Sequence, residues 1–329
     1  MTKTNIIKYS QCNRAIIDIG TNSTRMLIFR IDKNGKLFRV NKSVRYTRMG
    51  QGVNKTKRLH PDAIKRNFEA LEEYKNIAKD YKVKEIYILG TSALRDAQNS
   101  SVFVDLVTEK LNLTVDIITG EQEAEYGFIG VSQCFNDRLL IFDIGGGSTE
   151  LIYGKGRSLE KMTSLNVGCV RSTEEYITND PPRPSEMEAL NADCTKKLKE
   201  ALSSYEKSKP YKLVGIGGTA TTISTIKQKL KIYNSELVHQ SVVTYKDLSG
   251  IILDLASKTI DERRQIVGLE AKRADIILAG ANILLNILKV TGKDSFIICD
   301  YDNLEGAAYS HFIASQKFKK IKFKKSVDI

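Results

Sequence analysis

The chain has 329 residues, 41% hydrophobic and 27% charged, with a net charge of +12 at pH 7, enough for two buried cores and ordinary for a globular protein. The N-terminal MTKTNIIKYSQCNR has no apolar signal segment, and the most apolar later stretch, Ala274–Val290, carries Asp275, Asn282, Asn286 and Lys289; a buried helix is expected there, not a membrane span. The five cysteines form no C-x-x-C pair, and the three histidines His60, His239 and His311 have no metal-ligand spacing, so a reduced, cytoplasmic setting is expected and each histidine reads as structural.

In chain order, Ala15–Ile19 predicts an apolar strand, Gly20–Thr24 its turn and Met26–Ile31 the returning strand. Asn34-Gly35 is a hairpin signal that makes Lys36–Tyr46 a third strand, with a flexible basic loop over Arg45–Gly52. Ile64, Phe68, Leu71, Ile77 and Ala78 share one stripe, so Pro61–Tyr81 predicts a helix with proline in its first turn. Glu85–Leu89 is a short strand ending in a loop that carries Arg95, a placement suited to anion capture in α/β sheets. A helix over Val102–Leu111, a strand over Val115–Ile118 and a helix opening at Gly120 complete the order β-β-β-α-β-α-β-α.

The second half retraces that order. Strands are predicted at Leu139–Asp143, Glu150–Gly154 and Leu159–Leu165, followed by Val167–Arg171, a Pro-rich Asn179–Ser185 and a helix over Glu186–Tyr205. Lys212–Ile216 runs as a strand into Gly217-Gly218-Thr219, where free N–H groups and the helix dipole suit an anion. Helical segments over Tyr245–Val290, a strand at Phe296–Cys299 and a helix over Asn303–Ala314 follow. At the C-terminal end Lys317–Lys325 holds six lysines in nine residues. Such a tail reads as a solvated arm whose field attracts a polyanion (nucleic acid, membrane or phosphate polymer), and composition does not choose among them.

The two halves also share residues. LIFDIGGGSTE (Leu140–Glu150) is an apolar strand entering a glycine turn, and IIDIGTNST (Ile16–Thr24) repeats it at an offset of 125. Across Asp18–Arg25 against Asp143–Glu150, five of eight positions are identical, which predicts duplicated domains. Glycines let backbone N–H groups approach a ligand closely, and two such hairpins facing each other would make a cleft with a phosphate-binding turn on both walls. Asp143 and Glu150 suit a hard cation such as Mg²⁺.

The segments AIIDIGTNSTRMLIF, TSALRDAQN, TGEQEAEYGF, FDIGGGSTELI, NVGCVR, GIGGTATT and RADIILAG, in that order from residue 15 to about 312, resemble the exopolyphosphatase/guanosine pentaphosphate phosphatase family of the actin, Hsp70 and sugar-kinase superfamily. The resemblance implies an α/β fold of two duplicated ribonuclease H-like (actin-like) domains, with extra helices in the second. The expected spans are 1–123 and 124–302, with a last helix at about 303–316 packing back on the first domain and 317–329 a basic tail.

The resemblance also implies a Mg²⁺-dependent hydrolase that releases orthophosphate from polyphosphate or converts guanosine pentaphosphate to the tetraphosphate. Glu123 matches the family's catalytic base, with Glu121 its rival, and Arg95 would clamp a phosphate. Asn22, Ser23, Thr24, Gly145, Gly146, Gly147, Ser148, Thr149, Cys169, Gly217, Gly218, Thr219 and Arg273 would line the phosphate path, and Asp143, Glu150 and Asp18 would serve the metal. Cys169 reads as a small lining residue, since no histidine is positioned to activate it. The implied partners are polyphosphate or guanosine pentaphosphate, with neither membrane nor nucleic acid, and a homodimer is expected. The family's Arg-Glu-Gly triplet is replaced here by Leu304-Glu305-Gly306, and the chain reads as the short two-domain type. A kinase of the superfamily would need larger insertions, a binding-only sensor fits poorly with Glu123, Asp143 and Glu150, and no GxxxxGK[ST] run is present.

Overall fold

The computed structural model describes residues 12–32, 34–205 and 210–313, so the lysine-rich stretch 317–325 lies outside the described residues. Two compact units result, one of residues 12–126 with 304–313 and the other of residues 127–303. The division falls inside the helix Gly120–Val131.

In the first unit, β1 (Arg14–Ile19), β2 (Thr24–Ile31), β3 (Leu37–Arg45), β4 (Glu85–Gly90) and β5 (Val115–Ile117) form a sheet ordered β3-β2-β1-β4-β5. The first three strands make an antiparallel meander, and β4 and β5 run parallel to β1. Every residue of β1 is buried, as expected for a central strand covered on both faces, and its near-continuous apolar run follows from that. The helices Pro61–Asp80 and Ser100–Leu111 bring Leu71, Tyr74, Phe103 and Val107 into one core with Ile17, Ile19 and Ile28.

The second unit repeats the plan. Its strands β6 (Arg138–Ile144), β7 (Thr149–Lys155), β8 (Ser158–Leu165), β9 (Lys212–Ile216), β10 (Val242–Thr244) and β11 (Ser295–Ile298) are ordered β10-β11-β9-β6-β7-β8. The repeat extends to register: Asp18 faces Arg25 and Ile19 faces Thr24 across β1 and β2, as Asp143 faces Glu150 and Ile144 faces Thr149 across β6 and β7. The core gathers around the helix Ile277–Thr291, whose residues from Ile277 to Leu288 are all buried. Among the described residues no helix is long and apolar enough to cross a membrane.

The structure differs from the sequence expectation in several places. The antiparallel edge strand β10 is additional to the repeat, and three residues are too few for periodicity to reveal. Tyr245–Val290 is broken into Tyr245–Ala256, Ile260–Arg263, a 3₁₀ turn at Ala271–Arg273 and Ile277–Thr291. The breaks coincide with a Thr259/Glu262 capping box and with Gly268 at φ +91. Short helices form at Ser92–Asp96, where Arg95 was expected in a loop, and at Cys169–Tyr176. Arg45–Gly52 is not a loose basic loop: Met49 is fully buried and Arg45 pairs with Glu73. The last helix, Asn303–Ala308, passes into a π-helical turn over Tyr309–Ile313.

That last helix is fastened within the first unit by ion pairs and by a close backbone approach. Glu305 is fully buried and meets Arg39 at 2.8 Å and Lys42 at 3.3 Å on β3. Gly306 lies so close to the chain at Tyr126 that a Cβ would stand 1.7 Å from the Tyr126 carbonyl oxygen. Backbone cannot swing aside as a side chain can, so Gly306→Ala is expected to destabilise the chain by about 3 kcal/mol, the upper end for overpacking. Urea unfolding followed by tyrosine fluorescence, the chain having no tryptophan, will measure it; an unchanged midpoint would mean that this close approach is not a fixed feature of the fold.

Candidate active site

The glycine turn after β1 is closed by the Gly20 N–H donating to the Ser23 carbonyl at 3.0 Å. A second segment braces it from outside: the Gly50 N–H donates to the Thr21 carbonyl at 2.9 Å and the Arg48 N–H to the Asn22 carbonyl at 3.0 Å. In a trans peptide the N–H points opposite to the C=O. With the Thr21 and Asn22 carbonyls turned toward residues 48–50, the N–H groups of Asn22 and Ser23 are turned away from them.

The turn after β6 is built the same way. The Gly145 N–H donates to the Ser148 carbonyl at 2.9 Å, and the Cys169 N–H donates to the Gly145 carbonyl, also at 2.9 Å. The Gly146 carbonyl accepts from Val170 N–H at 2.9 Å and Arg171 N–H at 3.0 Å, and the Gly147 carbonyl from Arg171 Nε at 2.8 Å. The N–H groups of Gly146, Gly147 and Ser148 are therefore all directed away from the start of the helix Cys169–Tyr176. Each repeat thus presents a row of amide donors on one side of a turn whose carbonyls are held on the other, an arrangement suited to an anion.

Cross-strand partners distinguish the two turns. Asp18 is met by its partner Arg25, whose Nε donates to Oδ2 at 3.1 Å and whose second guanidinium nitrogen also contacts that oxygen. Asp143 faces Glu150 instead, and both acids are buried, at 7% and 1% exposure. Asp143 Oδ2 accepts from Asn303 Nδ2 at 3.3 Å, and Glu150 Oε1 accepts from Ser164 Oγ at 2.8 Å. Gly217, at φ +74, stands where a Cβ would lie 2.2 Å from Asp143 Oδ1; glycine alone satisfies both constraints.

Around the Gly217–Gln228 helix start, the Arg273 guanidinium packs against Gly218, 2.1 Å from where a Cβ would be. Gly280 is in turn overlain by Thr219 and Cys169. Burial pushes the Cys169 thiol up, against a smaller opposing effect of Arg273, so its environment favours the neutral form. The hydroxyls of Thr24, Thr149 and Thr219 were grouped by pattern with the phosphate donors. In the structure Thr24 donates to Asn67 Oδ1 at 2.7 Å, Thr149 to the Val167 carbonyl at 2.6 Å and Thr219 to the Ile144 carbonyl at 2.7 Å. All three are fully or almost fully buried, so these hydroxyls brace the turns from inside.

The two glutamates of the TGEQEAE segment part company. Thr119 and Gln122 make a reciprocal capping box, with Thr119 N–H to Gln122 Oε1 at 2.9 Å and Gln122 N–H to Thr119 Oγ1 at 3.2 Å. That start leaves Glu121 exposed in the first turn, where its own backbone N–H and Thr119 hold its carboxyl below the usual range. Glu123 is 8% exposed and meets Arg95 Nη1 at 3.3 Å, and the same nitrogen donates to the Ile118 carbonyl at 2.9 Å.

A sequence profile of the Ppx/GppA phosphatase family matches residues 27–313. This chain belongs to that family. It is 37% identical over 306 residues to the bifunctional 3-dehydroquinate synthase/phosphatase of Fusobacterium nucleatum, a match covering 89% of this chain and 46% of that protein. It is 31% identical over 311 residues to exopolyphosphatase 2 of Mycobacterium tuberculosis, covering 90% of this chain and 97% of that one. The chain therefore spans less than half of the first relative and nearly all of the second. The crystal structure of the Aquifex aeolicus Ppx/GppA family member superposes with a TM-score of 0.78 at 32% identity, covering 93% of this chain and 99% of that chain. The repeated α/β units are the actin-like, two-domain fold of the Ppx/GppA proteins.

Three groups of residues take roles that were not legible in the sequence, although Gly168–Arg171 lies in the NVGCVR segment that carries the family resemblance. The bracing segments at Arg48–Gly50 and Gly168–Arg171 carry no repeated motif, because the two halves reach their turns by unlike routes. The third group of interest, Cys134, His239 and Cys299, shows no ligand spacing along the chain, yet one ligand atom from each lies within 4.8 Å of the others. The other two histidines are structural: His60 caps the helix Pro61–Asp80, and His311 stacks on Tyr87 with centroids 4.1 Å apart.

Proposed function

We propose that this chain is a Mg²⁺-dependent exopolyphosphatase that releases orthophosphate from the end of inorganic polyphosphate. The observation that carries the reading is the contrast between the repeats, Asp18 beside Arg25 and Asp143 beside Glu150. Like charges directly opposite on neighbouring strands, with Cβ atoms roughly 5 Å apart, destabilise a sheet, and burial raises the cost. A divalent cation held by Asp143 and Glu150 would relieve it; in the first repeat Arg25 stands opposite Asp18 and pairs with it. When bound, Mg²⁺ neutralises charge on the phosphoryl oxygens.

The chain's own groups account for the rest. In the second unit the amide N–H groups of Gly146, Gly147 and Ser148 donate to phosphate oxygens and Arg273 holds others; in the first unit the N–H groups of Asn22 and Ser23 and the Arg95 guanidinium offer the same chemistry. Glu123 takes a proton from the attacking water as its oxygen bonds to the terminal phosphorus. The bridging P–O bond breaks, and its electron pair leaves on the shortened polyphosphate. Preference for the polymer is supported by the name of the Mycobacterium relative, matched over nearly its whole length, and by the +12 charge, which attracts a long polyanion.

The test is phosphate release from long polyphosphate, short polyphosphate and guanosine pentaphosphate in parallel, with Mg²⁺ and with chelator. The expected result is Mg²⁺-dependent release, fastest from polyphosphate. Faster turnover of guanosine pentaphosphate would move the assignment to the nucleotide. No release from any of the three would overturn it.

A further inference from the structure

Apart from the residues assigned to phosphate chemistry, the second unit gathers three ligands of one kind from three distant segments. Cys134 follows the helix Gly120–Val131, its N–H donating to the Val131 carbonyl at 2.9 Å. His239 caps the C-terminal end of the helix Ser235–Val238, and Cys299 directly follows β11, its N–H held by the Gly215 carbonyl at 2.9 Å. Two sulfurs and one imidazole nitrogen lie within 4.8 Å of one another. Around a tetrahedral Zn²⁺, with Zn–S about 2.3 Å and Zn–N about 2.0 Å, the sulfurs sit about 3.8 Å apart and each about 3.5 Å from the nitrogen. The cluster is therefore within about 1.3 Å of ligating distances, a gap of the size that side-chain rotation can close.

We propose that Cys134, His239 and Cys299 form a zinc site with a fourth position open to water. The donor set is the reason for the metal class: thiolate and imidazole select Zn²⁺, and Mg²⁺ takes oxygen ligands. A disulfide between the two sulfurs would give the imidazole no part. Cys299 is fully buried, while Cys134 and His239 are partly exposed, so the ion has protein on one side and a route in on the other. Binding releases the thiol protons to solvent. The Asp300 N–H reaches His239 Nδ1 at 3.2 Å, a long contact that places the ring proton on Nε2; a metal at Nδ1 would take the place of that contact and leave the proton on Nε2.

The role is that of a clamp. Cys299 opens the segment that runs through Asp300, whose carboxylate accepts from Ser235 Oγ at 2.6 Å, to Asn303, which donates to Asp143 Oδ2. Tying Cys299 to Cys134 and His239 fixes the base of that segment.

The experiment uses the full chain with Mg²⁺ in excess, so that carboxylate sites stay loaded. Bound zinc is counted by mass spectrometry, and Co²⁺ is titrated while thiolate-to-cobalt charge-transfer absorption is followed. The expected results are about one zinc per chain and a charge-transfer band that Cys134→Ser and Cys299→Ser each abolish and His60→Ala leaves intact. Stripping zinc should lower Tm by roughly 5–10 °C in the parent chain and leave Cys134→Ser unmoved. Zinc far below stoichiometry with no charge-transfer band in the parent chain would overturn the site. So would a band that survives both serine variants, or a Cys134–Cys299 disulfide in a protein that retains no zinc.

Discussion

Glu123→Gln is expected to lower phosphate release by about 10²–10⁴-fold, the range for loss of a general base, while Glu121→Gln stays near wild type. The capping box of Thr119 and Gln122 sets both residues on the first turns of one helix, two positions apart, so their side chains leave in different directions. Glu121 ends in solvent, where its charge complements the helix dipole. Glu123 ends buried against Arg95. Glutamine keeps the shape and one acceptor oxygen for Arg95, so folding and substrate binding should be nearly unchanged and the loss should fall on kcat. Steady-state phosphate release from polyphosphate by both variants decides it. A near-normal Glu123→Gln beside a dead Glu121→Gln would reverse the assignment.

Gly168→Ala should cost about 10²-fold in kcat/KM, the effect expected when a catalytic element is displaced by about 1 Å. The backbone angles at Gly168, φ −154 and ψ 162, are ordinary extended values, so the penalty is one of space. A Cβ there would stand 2.4 Å from the Gly146 carbonyl oxygen and 2.7 Å from the Gly147 carbonyl carbon. Both atoms are backbone of the glycine turn, which must move for the methyl to fit. Gly50 occupies the matching place in the first repeat, but a Cβ there meets the Thr21 Cγ2 methyl at 2.2 Å, with the Thr21 carbonyl oxygen at 3.3 Å. A side chain yields more easily than a turn, so Gly50→Ala should lose less activity. Circular dichroism and a urea midpoint will separate a displaced turn from a partly unfolded protein. Wild-type kcat/KM in a well-folded Gly168→Ala would sink the idea that the bracing segment positions the amides.

Much of this arrangement was legible in the chain. The apolar runs that end in Asp18 and Asp143, the glycines after them and the constant offset of 125 residues forecast two like sheets, and the strand registers follow that offset. Local pattern sufficed because a strand, a tight turn and a returning strand are decided within about ten residues. Elements held by tertiary contact alone were missed. The strand β10 exists because β11 offers it an edge, and the helix Cys169–Tyr176 begins with N–H bonds to the carbonyls of a turn more than 20 residues upstream.

The sequence by itself determined which residues head each turn and that the turns are two, since those depend on neighbours along the chain. Only the tertiary structure decided which way the amides point, because that is set by carbonyl partners contributed from Arg48–Gly50 and Gly168–Arg171. It also decided that the hydroxyls of Thr24, Thr149 and Thr219 face inward, and that Cys134, His239 and Cys299 meet. Contacts between segments so far apart leave no periodic trace in a sequence, because either partner can drift along its own loop as long as the fold returns it to the other.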